Sequence, residues 1–249
     1  MPLVVFYHRQ IVFSMKQTTA QIYLADQRGC SQMDWFRSFH TFNFGSYFHE
    51  NKKPFGSLQL LNDNTLAAGK SLKMQTEDNI EVLILPLVGG FEYKNNMGQH
   101  GFVETGQALI LILEKGMSYE IINPYEAELI NFLQIWIKHN DISPFIYKNE
   151  TLSFNLENKN KLLPIHTPLI YPFGSKNAFF IGKYEGRAED EYTLKNSSNS
   201  VFVFIIEGAF EVANRLLETR DGIALSNIEA VEFEALSNDA IILLLEIEQ

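Results

Sequence analysis

Cysteine occurs once in the 249 residues, as Cys30. A disulfide within the chain is therefore excluded, and so is any zinc site built on two or four of its own thiolates. Histidine is scarce too. The six are His8, His40, His49, His100, His139 and His166, with no paired spacing on a strand, and none follows His166. The last third of the chain thus offers a metal neither imidazole nor thiolate. Basic residues are outnumbered, 20 Lys and Arg against 30 Asp and Glu, for a formal net charge of -10. Binding to a nucleic-acid backbone draws on clustered cations, and the nearest approach to a cluster, Lys52-Lys53, reads as a solvated loop. Direct nucleic-acid binding is excluded on these grounds, and an anionic membrane surface is disfavoured in the same way. Long apolar runs are missing as well. The stretch Met1 to Tyr7 meets His8-Arg9-Gln10 too soon for a signal-peptide core or a span. A reducing, cytoplasmic setting is expected, with no membrane partner. Met15, which opens the polar stretch Lys16 to Thr19, is expected to be the true start, the alternative being an arm or strand that packs on the fold.

What the chain has is an apolar content of 46%, enough for a packed core in one large or two modest domains. The apolar residues come in short Val, Ile, Leu and Phe runs separated by Gly, Asn, Asp and Pro, which predicts an all-β fold. The clearest strands are 80–87, 91–93, 108–113, 129–137, 201–206, 209–213 and 240–247. Asn95-Asn96-Met97-Gly98 predicts a hairpin, because Asn and Gly tolerate the positive φ of tight turns. Cys30 reads as a small inert hydrophobe, and nearby Arg28 is the argument for a redox-sensing thiol instead.

The two halves echo each other. Val88-Gly89-Gly90-Phe91-Glu92 returns as Ile206-Glu207-Gly208-Ala209-Phe210-Glu211, and Glu104-Thr105-Gly106-Gln107-Ala108-Leu109 is matched by the stretch from Glu218 to Leu225. Each half then ends in an apolar strand, which predicts a tandem duplication of one β-domain. The expected domains are residues 15–140 and 141–249. Lys138 to Pro172, rich in Asn, Lys and Pro, reads as a connector that completes the partner domain, with Asp141-Ile142-Ser143-Pro144 as a helix or turn start.

A further set of residues carries a family resemblance. Arg28-Gly29, Trp35, the run from Ser38 to Phe48, Leu61-Asn62-Asp63 with Ala68-Gly69, and Leu133-Gln134-Ile135-Trp136-Ile137 follow one another in the order and spacing of the pirin family. The resemblance is to the group that includes bacterial quercetin 2,3-dioxygenases. It covers Gln21 to Ile137 well and the second half weakly. It implies a bicupin, with two tandem antiparallel jelly-roll β-barrels. It also implies one metal, usually iron, held in the first barrel by three histidines and a glutamate. Two of those histidines belong to a His-Pro-His motif, where this chain has Gln75 and Glu77 within Met74 to Glu81. The other two ligands come from a Gly-x-x-His-x-Glu segment before Asn-Pro, where this chain has Tyr119 and Ile121.

No imidazole remains at the four positions, and isoleucine has no donor atom. Neither a metal nor another cofactor is therefore expected. Gln75, Glu77, Tyr119 and Ile121 are instead the candidate pocket residues, either orienting a ligand or bonding one another in a filled core. The expected function is that of a metal-free pirin-like protein binding a small molecule or a protein partner. The alternative is a quercetin 2,3-dioxygenase-type oxidoreductase with an unfamiliar metal site. A metal-independent acid-base enzyme using Glu77 and Tyr119 is the third option. His40, among Phe39, Phe42 and Phe44, reads as a buried hydrogen-bonding residue.

Overall fold

The computed structural model describes residues 18–138, 149–166 and 177–249. The N-terminal residues before Met15, the helix start at 141–144 and the connector residues 139–148 and 167–172 lie outside them. Among the described residues the one helical feature is a single 3-10 turn, Ala25–Gln27.

Everything else is strand and turn, arranged as four antiparallel sheets. The largest has the order β12 (Asn149–Ser153), β9 (Gln107–Leu113), β6 (Ile80–Val88), β11 (Ile130–Lys138), β4 (Leu58–Leu66), β3 (Phe36–His40) and β2 (Gly29–Gln32). A four-stranded sheet of β5 (Ser71–Gln75), β10 (Ser118–Ile122), β7 (Gly90–Asn95) and β8 (His100–Glu104) faces it across a common core. The second half repeats the plan. Its six-stranded sheet runs β1 (Thr19–Tyr23), β19 (Gly222–Ser226), β16 (Ser200–Glu207), β21 (Ala240–Ile247), β14 (Ala178–Tyr184) and β13 (Leu162–His166). The sheet opposite it is β15 (Glu189–Thr193), β20 (Ala230–Ala235), β17 (Phe210–Val212) and β18 (Arg215–Leu217).

Period-two side-chain alternation explains the packing. Along β16, Val201, Val203 and Ile205 enter the core of the second half, while Phe202, Phe204 and Ile206 enter a separate core between the two large sheets. On β6, Val82 and Ile84 point into the first half, and Leu83 and Leu85 into that same intervening core. Both faces of these central strands are buried, so their sequences are continuous apolar runs without polar alternation. The molecule is thus layered as small sheet, large sheet, large sheet, small sheet.

The internal repeat is structural. Gly89 and Gly208 turn the chain between β6 and β7 and between β16 and β17, with φ of +73° and +77°, a region that strongly favours glycine. The hairpin at Asn95 to Gly98 forms as the dipeptides predict, with Asn95 Oδ1 accepting from the amides of Met97 and Gln99 at 3.0 Å. Pro86 sits on β6 beyond the last residue paired with β9 and opposite a register shift in β11, where no ladder bond is lost.

Two features differ from the sequence expectation. The sheets have free edges and do not close into barrels; each half is a pair of facing sheets. Pairing also crosses between halves: β1 adds to β19 of the second half, and β12 adds to β9 of the first. Each large sheet is finished by a strand from the other side of the sequence.

Candidate functional site

Strand β4 carries Asn62, Asp63 and Asn64 in its middle, between Leu60-Leu61 and Thr65-Leu66, and all three are buried. A polar residue in such a position costs free energy unless it is bonded. Alternation sends Asn62 and Asn64 into the first half and Asp63 toward the second.

On the inward side the polar groups form one continuous chain. Trp136 Nε1 donates to Tyr119 Oη at 2.9 Å, and Gln134 Nε2 donates to the same oxygen. Asn64 Nδ2 donates to Gln134 Oε1 at 2.9 Å, and the Ser38 hydroxyl donates to Asn64 Oδ1 at 2.6 Å. His40 Nδ1 lies 3.0 Å from Asn62 Oδ1 and 3.3 Å from Ser38 Oγ. Because Ser38 has given its proton to Asn64, both oxygens face Nδ1 as acceptors, so the imidazole carries its proton there. Nε2 is left as the acceptor, 2.8 Å from Ser31 Oγ. Burial holds the imidazole below its usual range; the Asn62 bond opposes this and the Arg28 charge adds to it. Burial likewise pushes the Tyr119 hydroxyl well above the ordinary tyrosine range, against the bonds from Trp136 and Gln134.

The four sequence candidates separate. Tyr119 and Ile121 are inside, at 1% and 0% exposure, within the core of the first half. Gln75 and Glu77 are exposed, and the Gln75 amide donates to Gly116 O at 3.1 Å. Tyr119 faces Met74 across the β5–β10 ladder, and Gln75 faces Ser118. The reason is register: Gln75 is the last residue of β5 and points outward, and Glu77 lies beyond the strand. The four expected pocket residues thus lie as a buried pair, Tyr119 and Ile121, and an exposed pair, Gln75 and Glu77. Tyr119's interior partners, Gln134 and Trp136, come from the opposite sheet. Among the described residues no three His, Cys, Asp or Glu side chains converge as metal ligands do.

His40 is fully buried and hydrogen-bonded, as its aromatic neighbours suggest, with its ring 5.1 Å from that of Phe44. Cys30 departs from expectation: it is exposed on β2 and not buried as a small hydrophobe.

On the outward side Asp63 joins the halves. Its carboxylate accepts from Asn131 Nδ2 at 2.7 Å and pairs with Arg28 at 3.5 Å and with Arg220 of the second half at 3.0 Å. Asp221 reaches back, accepting from the Ala25 amide at 2.7 Å. The outer face of the second small sheet is acidic. Glu189 stands across from Glu234, Glu234 from Glu211, and Glu191 from Glu232, around a cavity of about 480 Å³. Arg187 bridges to Glu234 at 2.8 Å.

Sequence and structure comparisons agree with this layout. The pirin family model matches residues 23–137, and the model for a quercetinase C-terminal cupin domain matches residues 175–247. A quercetin 2,3-dioxygenase of Escherichia coli K12 is 24% identical over 236 residues, covering 89% of this chain and 97% of the relative. The pirin-like protein YhaK of the same organism is 32% identical over 112 residues, 44% of this chain and 48% of its own. The crystal structure of E. coli YhhW superposes with a TM-score of 0.82 at 20% identity, covering 92% of this chain and 97% of that one. The YhhW structure in complex with nickel(II) gives 0.81, also at 20% identity, over 92% and 99% of the two chains. The chain thus carries a pirin domain in its first half and a quercetinase-type cupin domain in its second, within an all-β architecture shared with YhhW along most of its length.

Proposed function

We propose that this protein is a metal-independent member of the pirin family, a cytoplasmic bicupin that binds a small molecule or a protein partner and does not carry out oxygen chemistry. Its two domains are residues 15–140 and 141–249, each lending one edge strand, β1 or β12, to the sheet of the other. The observation that carries the reading is the interior of the first half. The one oxygen at the four family positions that faces inward, Tyr119 Oη, is taken up by donors from Gln134 and Trp136. Its proton is held tightly by burial, and Ile121 beside it supplies no donor. Gln75 and Glu77 are directed away. A first-row metal with open positions needs imidazole, carboxylate or thiolate donors converging on one point, and these residues do not fit such an ion.

Metal analysis of the purified, untagged protein, before and after incubation with ferrous iron and dialysis, tests this directly. Metal well below one equivalent is expected. Near-stoichiometric iron, nickel, copper or manganese would overturn it. The similarity to quercetin 2,3-dioxygenases along nearly their whole length favours a second reading, ring-opening of a flavonol by dioxygen. That reading requires oxygen uptake with quercetin and added iron, and the first requires none.

A further inference from the structure

We propose that Ser31, His40 and Asn62 form a metal-free nucleophilic site in which the Ser31 hydroxyl is acylated by small esters with apolar or aromatic acyl groups. This goes beyond the binding role and stands on separate observations. A serine nucleophile requires a base within hydrogen-bond reach and a third group that orients the base. Here Ser31 Oγ is 2.8 Å from His40 Nε2, and His40 Nδ1 is 3.0 Å from Asn62 Oδ1. The chain of bonds from Tyr119 through Gln134, Asn64 and Ser38 places the imidazole proton on Nδ1, which leaves Nε2 free to take the serine proton. Asn62 and His40 are buried, and the ring cannot swing away. Ser31 is half-buried and can be reached.

The surroundings suit an apolar acyl group. The rings of Phe44 and Tyr47 lie 5.1 and 6.4 Å from the imidazole, on a short hairpin across the edge of the sheet. Tyr47 lies directly on Gly29, where a Cβ would come within 2.3 Å of its ring. Among the described residues β2 is an edge strand with no neighbour on its outer side. Met33 and Phe36 bond each other's backbone, so by alternation the Ser31 amide faces β3 and the Gln32 amide faces outward. That outward N–H, on the residue next to the nucleophile, is the donor offered to a developing oxyanion.

In the first step Ser31 Oγ adds to the ester carbonyl carbon while its proton passes to His40 Nε2. The adduct then expels the alcohol, which leaves with that proton, and an acyl-serine ester remains. Water cleaves this ester by the same route through His40, releasing the carboxylic acid and restoring the serine. Asn62 is uncharged and the Arg28 charge lies close to His40, so the imidazolium formed in each step is weakly supported. A stoichiometric burst followed by slow turnover is the expected behaviour.

The probe is an alkyl fluorophosphonate, which phosphonylates an activated serine with loss of fluoride, read by intact mass and peptide mapping of the full-length protein. One adduct on Ser31 is expected, absent in Ser31→Ala and formed at least tenfold more slowly in His40→Gln. Release of one equivalent of p-nitrophenol from p-nitrophenyl acetate should follow the same pattern. A folded wild-type protein with no adduct on Ser31 overturns the proposal. So does an unchanged rate in a His40→Gln protein that still melts cooperatively. Should His40→Gln fail to fold, the wild-type mapping decides alone, since Ser31→Ala alters a half-buried edge residue.

Discussion

Replacing Tyr119 with phenylalanine removes one oxygen from the interior of the first half and leaves the ring in place. That oxygen accepts from Gln134, which is 1% exposed, and from Trp136, which is partly exposed. Each buried donor left without an acceptor costs about 1–3 kcal/mol. Gln134 belongs at the upper end of that range and Trp136 at the lower end, because its indole N–H recovers some contact with water. The expected loss is about 2–4 kcal/mol. At roughly 2–4 °C per kcal/mol for a chain of this size, the melting midpoint should fall by about 4–16 °C. Urea unfolding followed by tryptophan fluorescence gives the free energy, and an unchanged m-value would show that the denatured state is not the cause. A loss below about 1 kcal/mol would refute the reasoning, since Tyr119 would then not be the acceptor that closes this interior.

Three further outcomes follow from the same geometry. Gln75→Ala and Glu77→Ala alter exposed side chains and should each shift stability by less than about 0.5 kcal/mol in the same urea assay, whereas a larger change would return them to the interior site. Asp63→Asn leaves Arg28 and Arg220, whose side chains are 7% and 21% exposed, without their counter-charge. It should cost about 3–5 kcal/mol, and denaturation that matches wild type would show that the carboxylate does not join the halves. The third concerns pH. Burial lowers the His40 pKa in the folded protein, so the unfolded chain takes up a proton first as pH falls. Stability from this group is whole above the ordinary histidine value of about 6.5 and is lost as pH drops toward the lowered value, at no more than about 1.4 kcal/mol per pH unit. Melting midpoints measured from pH 8 to pH 5 should slope in the wild type and flatten in His40→Gln; parallel curves would remove His40 as the cause.

The strands with the longest apolar runs were legible in the sequence, as were the hairpin at Asn95 to Gly98 and the duplication marked by Gly89 and Gly208. Each is written in a local pattern: unbroken hydrophobicity, a turn dipeptide, a glycine where φ must be positive. Less regular strands such as β4 are not legible in this way, because Asn62-Asp63-Asn64 interrupts the run. That interruption was itself a signal, since three polar residues inside an apolar strand must find buried partners. His40 is legible as a buried hydrogen-bonding residue from its aromatic neighbours. Its link to Ser31 had no such marker, because the two residues meet only through the pairing of β2 with β3.

By itself the sequence determined an all-β chain of two related halves, with no disulfide within the chain, and it has no histidine among Gln75, Glu77, Tyr119 and Ile121, the positions to which the pirin resemblance points. Composition and short-range pattern suffice for such statements, because they depend on residue type and on neighbours a few positions away. Which of those four positions face inward was decided only in the tertiary structure. So were the exchange of β1 and β12 between the halves and the meeting of Asp63 with Arg220. All three depend on register and on which sheet faces which. Tyr119 on β10 meets Gln134 on β11 only because their sheets pack face to face, and a displacement of one residue along either strand would turn the side chain to the other side.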